Sequence, residues 1–178
     1  MKYFLRHKLK HWIYENHFLI SCVLILGAFL LWALVPGLYN KEFLASAVAS
    51  AIGLSYFALT NHLKEISIFK DLFERFNHDY DDLNEKLNEI KDQPDNKTLL
   101  AQETATLFSY FNLCGEEYLY FKKGMIYPEV WCAWLNGMRI FYKSERIQRL
   151  WIEELDSDSY YGLSVKILED AKCMKRCI

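Results

Sequence analysis

Glu116 and Glu117 come closest to a chemical signature in this chain: an acidic pair set between Cys114 and Tyr118. Paired carboxylates perform acid–base chemistry only where both reach one point, and adjacent residues on a helix point about 100° apart. The pair therefore makes no two-carboxylate site by itself, although one member can be a buried acid partnered by an arginine or a tyrosine hydroxyl. Cys173 and Cys177 lie one helical turn apart, half of a metal site in principle, but no histidine or second cysteine pair completes it. Cys22, Cys114 and Cys132 add no C-x-x-C spacing, and all five thiols are expected to be reduced. Three of the five histidines, His7, His11 and His17, precede or open the first apolar run, away from His62 and His78. No phosphate-binding loop, dinucleotide fingerprint, H-E-x-x-H or nucleophile elbow is present. The expectation is no enzyme, no cofactor and no metal, and a chain whose chemistry is binding.

The second unusual feature is aromatic density in the C-terminal part, where Tyr118, Trp131, Trp134 and Trp151 stand among Lys122, Lys123, Arg139, Lys143, Arg146 and Arg149. Most such rings are core. Tyrosine and tryptophan also favour binding surfaces and stack on bases, so a nucleotide or a protein partner is compatible.

These residues must be positioned by a chain whose two ends differ sharply. Its 178 residues carry a net charge of −2, which gives no global basic signal for nucleic acid. Residues 17–60 hold only Lys41 and Glu42 as full charges, whereas residues 61–178 are charge-rich. The first apolar run, 17–35, spans roughly 28 Å as a helix, close to the hydrocarbon thickness of a bilayer. It ends in Trp32 and Leu34 before Pro36-Gly37 instead of a small-residue cleavage site, which argues against a secretory signal. The second run, 43–60, repeats Ala45, Ala49 and Gly53 on one face, a stripe that lets helices approach closely in lipid. It suits packing on the first run, self-association, or both, and Ser46 and Ser50 on an adjoining face can hydrogen-bond across an interface. Residues 36–42 between the runs leave room only for a tight hairpin. Lys2, Arg6, Lys8 and Lys10 against Glu15 alone place the basic segment 1–16, and with it both termini, in the cytosol.

Beyond the second run the apolar positions Leu63, Ile66, Phe69, Phe73, Phe76, Tyr80, Leu83, Leu87 and Ile90 recur at steps of three and four. That period predicts an amphipathic helix continuous with the second span, its charged face solvated. Residues 91–96 read as a loop. Further helices are predicted over 97–123, stopped by Gly124, over 128–143, opened by Pro128, over 145–155, capped by Ser144, and from 156 or 157 to about 175. The fold class is all-α, with a two-helix transmembrane hairpin (17–35 and 43–60) followed by a cytosolic helical bundle, 61–178.

Two segments, F-E-R-F-N-H-D-Y-D-D-L-N at 73–84 and Y-F-N-L-C-G-E-E-Y-L-Y-F-K-K-G-M-I-Y-P-E-V-W at 110–131, together with Trp134 and Gly137-Met138, are similar to a cytosolic helical domain of uncharacterised bacterial proteins. The whole layout resembles two-transmembrane effectors of bacterial anti-phage systems: retron-associated membrane effectors, and in plan the membrane effectors of type III CRISPR systems. The resemblance covers about residues 63–155. It implies a toxic protein of the inner membrane that disrupts the bilayer on infection and causes abortive infection. The implied partners are the lipid bilayer, further copies of the chain, and a sensor, either a reverse transcriptase with its RNA–DNA product or a cyclic oligonucleotide. A non-toxic membrane scaffold is the rival from another class. The candidate ligand- or partner-binding residues are Asn77, Tyr80 and Asn84 in the first segment and Glu116, Glu117, Tyr118, Lys122, Trp131 and Trp134 in or after the second.

Overall fold

The structure, a computed structural model, describes residues 2–34, 41–156 and 159–169, and every regular element among them is a helix. In chain order these are α1 (Lys2–Glu15), α2 (His17–Leu34), α3 (Lys41–Lys91), α4 (Ala101–Lys122), α5 (Pro128–Tyr142), α6 (Glu145–Leu155) and α7 (Val165–Glu169). They form two compact units, Met1–Ile68 and Phe69–Ile178, and the division falls inside α3.

In the first unit the basic N-terminal stretch, expected only as a flank, is itself helical. Helical hydrogen bonding passes through the turn at Asn16: its N–H donates to Trp12 O (3.0 Å), and its carbonyl accepts from Ile20 N–H (2.9 Å). α2 runs antiparallel to the first part of α3. Ser21 Oγ and Ser55 Oγ meet at 2.6 Å, and Tyr14 Oη donates to Glu65 Oε1 at 3.1 Å. Lys10 Nζ joins the same glutamate at 2.8 Å. α2 and α3 are both long and apolar enough to cross a membrane, and their apolar windows are only 6% buried. The core helix of a water-soluble protein would hide such a surface. Here Phe18, Leu30, Leu34 and Phe57 face outward. Of the predicted hairpin turn, 36–42, residues 36–40 lie outside the described residues, and Lys41 and Glu42 open α3.

The second unit begins with the remainder of α3, which buries Leu72, Phe76, Leu87 and Ile90. Also buried are Leu107 and Phe111 of α4, Leu135 and Met138 of α5, and Ile147 and Trp151 of α6. Phe111 stacks on Trp151 with centroids 4.6 Å apart, and Phe121 on Trp131 at 5.0 Å. Each such side chain contributes about 1.5–3 kcal/mol by leaving water.

The ends of the helices have local causes. Gly124, at φ 76°, ends α4. Its N–H bonds Phe121 O (2.9 Å) and Met125 N–H bonds Tyr120 O (3.0 Å), the paired pattern of a Schellman stop. Pro128 opens α5, as its spacing predicts. Ser144 occupies the cap position of α6, but its side chain does not accept the orphan amide. Asp95 does: its Oδ1 takes Glu145 N–H at 3.1 Å, and Ser144 Oγ donates to the same atom at 3.4 Å. α4 starts at Ala101 and not at 97, because the carbonyls of Lys97 and Thr98 are turned to the Arg146 guanidinium (2.7 and 3.4 Å). The last predicted helix is the largest departure. Only Val165–Glu169 is helical, and Tyr161 (φ 55°) and Gly162 (φ 83°) are left-handed in succession, a geometry no helix continues through. The predicted extension to about 175, with Cys173 and Cys177, lies outside the described residues. Cys132 is disulfide-bonded, contrary to the expectation of reduced thiols, while Cys22 and Cys114 are free.

Candidate ligand-binding cavity

Tyr80 sits three residues after Asn77 on α3; Glu117 sits seven after Tyr110 on α4; Gly137 and Met138 follow Trp134 by three and four on α5. Each interval returns to the same side of a helix. The three sides meet in the second unit around a cavity of about 180 Å³. Its floor is Tyr110, Glu117 and Met138, all buried; its mouth is Asn77, Trp134, Gly137 and the exposed Ala133. A Cβ placed on Gly137 would meet nothing within 4 Å, so the glycine keeps the mouth wide.

Glu117 is the chemical centre of this cavity. It is 6% exposed. Among the described residues no hydrogen bond or ion pair reaches its carboxylate, and burial alone pushes its pKa up from 4.5 to about 8. Near neutral pH it is mostly a protonated acid, because a charge there is largely desolvated and has no partner. The groups around it are polar but carry no positive charge. Tyr110 hydrogen-bonds Cys114, and burial, first of all, lifts both well above their ordinary values. Tyr80 is raised by burial too, and its hydroxyl donates to Asn84 Oδ1 at 3.1 Å, an atom that also accepts Asn88 Nδ2 (2.9 Å). The Asn77 amide donates to Phe73 O at 2.8 Å.

The sequence candidates thus divide. Asn77, Tyr80, Glu117 and Trp134 line the cavity, and Asn84 stands behind Tyr80. Glu116 turns away and takes Arg75 Nη2 at 3.3 Å on the surface. Trp131 is a core residue, stacked on Phe121 and 5.4 Å from the Tyr118 ring. Lys122 donates to Tyr161 O at 2.7 Å, with its ammonium 5.2 Å from the Tyr118 ring. Tyr110, Ala133, Gly137 and Met138 were not singled out as site residues. The seven-residue interval from Tyr110 to Glu117 is the signal that links the first of them to the acid.

The three arginines among the aromatics are held by the fold, while Lys123 and Lys143 are exposed. Arg139 Nε donates to Leu168 O (2.6 Å), Arg149 Nη2 to Asp95 O (2.9 Å), and Arg146 is fully enclosed with donors on three backbone carbonyls and Glu103. Among the described residues no group of three histidine, cysteine or acidic side chains gathers to hold a metal.

In the first unit Ala45, Ala49 and Gly53 are exposed, and a Cβ on Gly53 would meet nothing within 4 Å. The stripe does not pack against α2. That contact is made by Ala51, whose carbonyl accepts Ser21 Oγ–H at 3.2 Å, and by Ser55. Ser46 Oγ bonds Phe43 O (2.9 Å) within its own helix. The serines across the α2–α3 contact are Ser21 and Ser55, not Ser46 and Ser50.

No protein-family model, curated protein or solved structure matches the chain, and its candidate chemistry rests on the geometry of the Glu117 cavity and the apolar hairpin.

Proposed function

We propose that this chain is a two-span membrane effector of a bacterial anti-phage system of the retron type, silent until a sensor engages its helical unit and then disruptive to the inner membrane. The observation that carries the membrane half is the outward-facing, charge-free apolar surface of α2 and the first part of α3. Water would penalise that surface by about 25 cal/mol per Å², and hydrocarbon would not. The defence half is supported by the resemblance of segments 73–84 and 110–131. The role is one of binding and re-packing, not catalysis. α3 is one helix from Lys41 to Lys91, and the reading has a ligand or partner on its second part bias the first part. Such a device needs two packings separated by a few kcal/mol. The exposed stripe of Ala45, Ala49 and Gly53 suits association of copies in lipid.

The orientation we assign puts both termini inside, from the lysine and arginine excess before α2. The opposite orientation would put both termini outside. Alkaline phosphatase fused after Ile178 decides between them, being inactive for the first and active for the second. The effector reading is tested in cells carrying the complete operon, by following membrane potential with a dye during infection. The wild type should depolarise on infection. A Pro-Gly insertion after Leu63, which interrupts α3 at a cost of about 3 kcal/mol or more, should insert in the membrane yet fail to depolarise it. Depolarisation on schedule by the inserted variant removes the coupling, and no depolarisation by the wild type leaves a membrane scaffold as the better description.

A further inference from the structure

We propose that the cavity between α3, α4 and α5 binds an alkylammonium group, with Glu117 as its counter-charge and the rings of Tyr80, Tyr110 and Trp134 as its walls. The inference is independent of toxicity and of the membrane reading.

Three observations converge on that chemistry. The first is the acid without a partner. An apolar residue of similar size would fill the Glu117 position at lower cost, since a buried carboxyl with no bond forfeits its hydration. A cationic ligand supplies what is missing: it pairs with the carboxylate and moves the proton off it. The groups that face Glu117 do not compete in that titration. Tyr80 from α3 and Tyr110 and Cys114 from α4 all have pKa values pushed upward, and α5 contributes only Ala133, Trp134, Gly137 and Met138.

The second is the arrangement of the rings. Tyr80 and Tyr110 are 6.4 Å apart and inclined at 50°. Trp134 is stacked on Phe73 at 6.0 Å and 15°, so one of its faces is already covered. A flat base is best held between two parallel faces. Walls tilted around a point suit a rounded cation, which is attracted to ring faces from any side. The third is charge and size. No basic side chain lines the cavity, and an ionised Glu117 repels phosphate, which disfavours a nucleotide. A cavity of about 150 Å³ admits benzene, and about 180 Å³ takes a trimethylammonium or small alkylammonium head.

The test uses the purified full chain in a non-ionic detergent and isothermal titration calorimetry. The probes are tetramethylammonium, choline, the uncharged choline isostere 3,3-dimethylbutan-1-ol, and guanosine. Choline should bind saturably and about tenfold or more tighter than its isostere at pH 9. Its affinity should fall about tenfold per pH unit below 8 as the acid takes up its proton, with proton release visible as a buffer-dependent heat. Glu117→Gln should bind choline and the isostere alike, lose the pH dependence and keep the far-UV circular dichroism of the wild type. Gly137→Leu, which fills the mouth from a position where a Cβ meets nothing within 4 Å, should block both ligands while keeping the far-UV circular dichroism of the wild type. Equal affinity of the wild type for choline and its isostere overturns the proposal, as does charge preference retained by Glu117→Gln. No saturable heat from either cation overturns it too, and guanosine binding in their place gives the cavity to a base edge.

Discussion

The Arg146 guanidinium meets the Glu103 carboxylate at 2.9 Å across 43 residues of sequence, with the arginine side chain wholly enclosed. The same guanidinium donates to Ile90 O (3.0 Å) and to the carbonyls of Lys97 and Thr98, and Glu103 also accepts Leu100 N–H at 2.8 Å. One buried cation therefore holds the end of α3, the following loop and the start of α4. Arg146→Met leaves these acceptors unpaired and should destabilise the second unit by about 3–5 kcal/mol. Arg146→Lys should rescue little, because an ammonium cannot fork to several acceptors. Urea unfolding followed by tryptophan fluorescence measures both. The Leu100 N–H first, and then Arg146, hold the Glu103 carboxyl below its ordinary value. That stability is present above the unfolded-state pKa and is lost as pH falls through the folded one. Glu103→Gln should blunt the acid limb of the stability profile.

Glu117 acts on the opposite side of the profile. Its folded-state pKa, about 8, lies above the ordinary 4.5, so the folded chain binds the extra proton between those values. Stability is then highest below about 4.5 from this group and falls as pH rises through 8, by several kcal/mol in total. Glu117→Gln should be more stable than wild type at pH 9 and lack the decline. Unfolding midpoints at pH 5, 7 and 9 test this, and parallel profiles for the two proteins would contradict the buried unpaired acid.

Gly115 of α4 lies where Tyr160 crosses: a Cβ there would sit 3.2 Å from Tyr160 Cδ1 and 3.4 Å from its Cα. Gly115→Val forces the segment away, and the Tyr160 hydroxyl bond to Glu154 Oε2 (2.9 Å) goes with it. The expected cost is about 1–3 kcal/mol, read as a lowered urea midpoint, whereas Gly137→Val, in open space, should be neutral or slightly stabilising.

Gly53 and Leu54 are both exposed on the hairpin. Gly53→Leu should therefore leave the α2–α3 contact intact, whereas Leu54 lines the crevice that α3 forms with Ile20, Ser21 and Leu24 of α2. If copies associate through the small-residue stripe, Gly53→Leu should weaken oligomers in cross-linking from membranes and Leu54→Ala should not. Equal cross-linking of both with wild type excludes the stripe as an interface.

What the sequence by itself determined is everything that depends on near neighbours in the chain. The two apolar runs, the period of α3, the stop at Gly124 and the start at Pro128 follow from side-chain type at helical spacing, and an all-helical structure follows from them. Residues 159–164 escaped that logic because left-handed geometry at Tyr161 carries no local signature in a tyrosine. Tertiary structure decided the faces. Glu116 and Glu117 are chemically identical neighbours, yet one pairs with Arg75 at the surface and the other lies at the floor of the cavity between α3, α4 and α5, because about 100° of helix rotation separates a solvated direction from a packed one. Arg146, read among several loose cations, became a buried staple for the same reason: only the approach of the loop after α3 brings the carbonyls of Ile90, Lys97 and Thr98 to one guanidinium. Ser21 and Ser55 found each other across α2 and α3, while Ala45, Ala49 and Gly53 were left outside. Spacing says which residues share a face, and only the packing of the other helices says what that face meets.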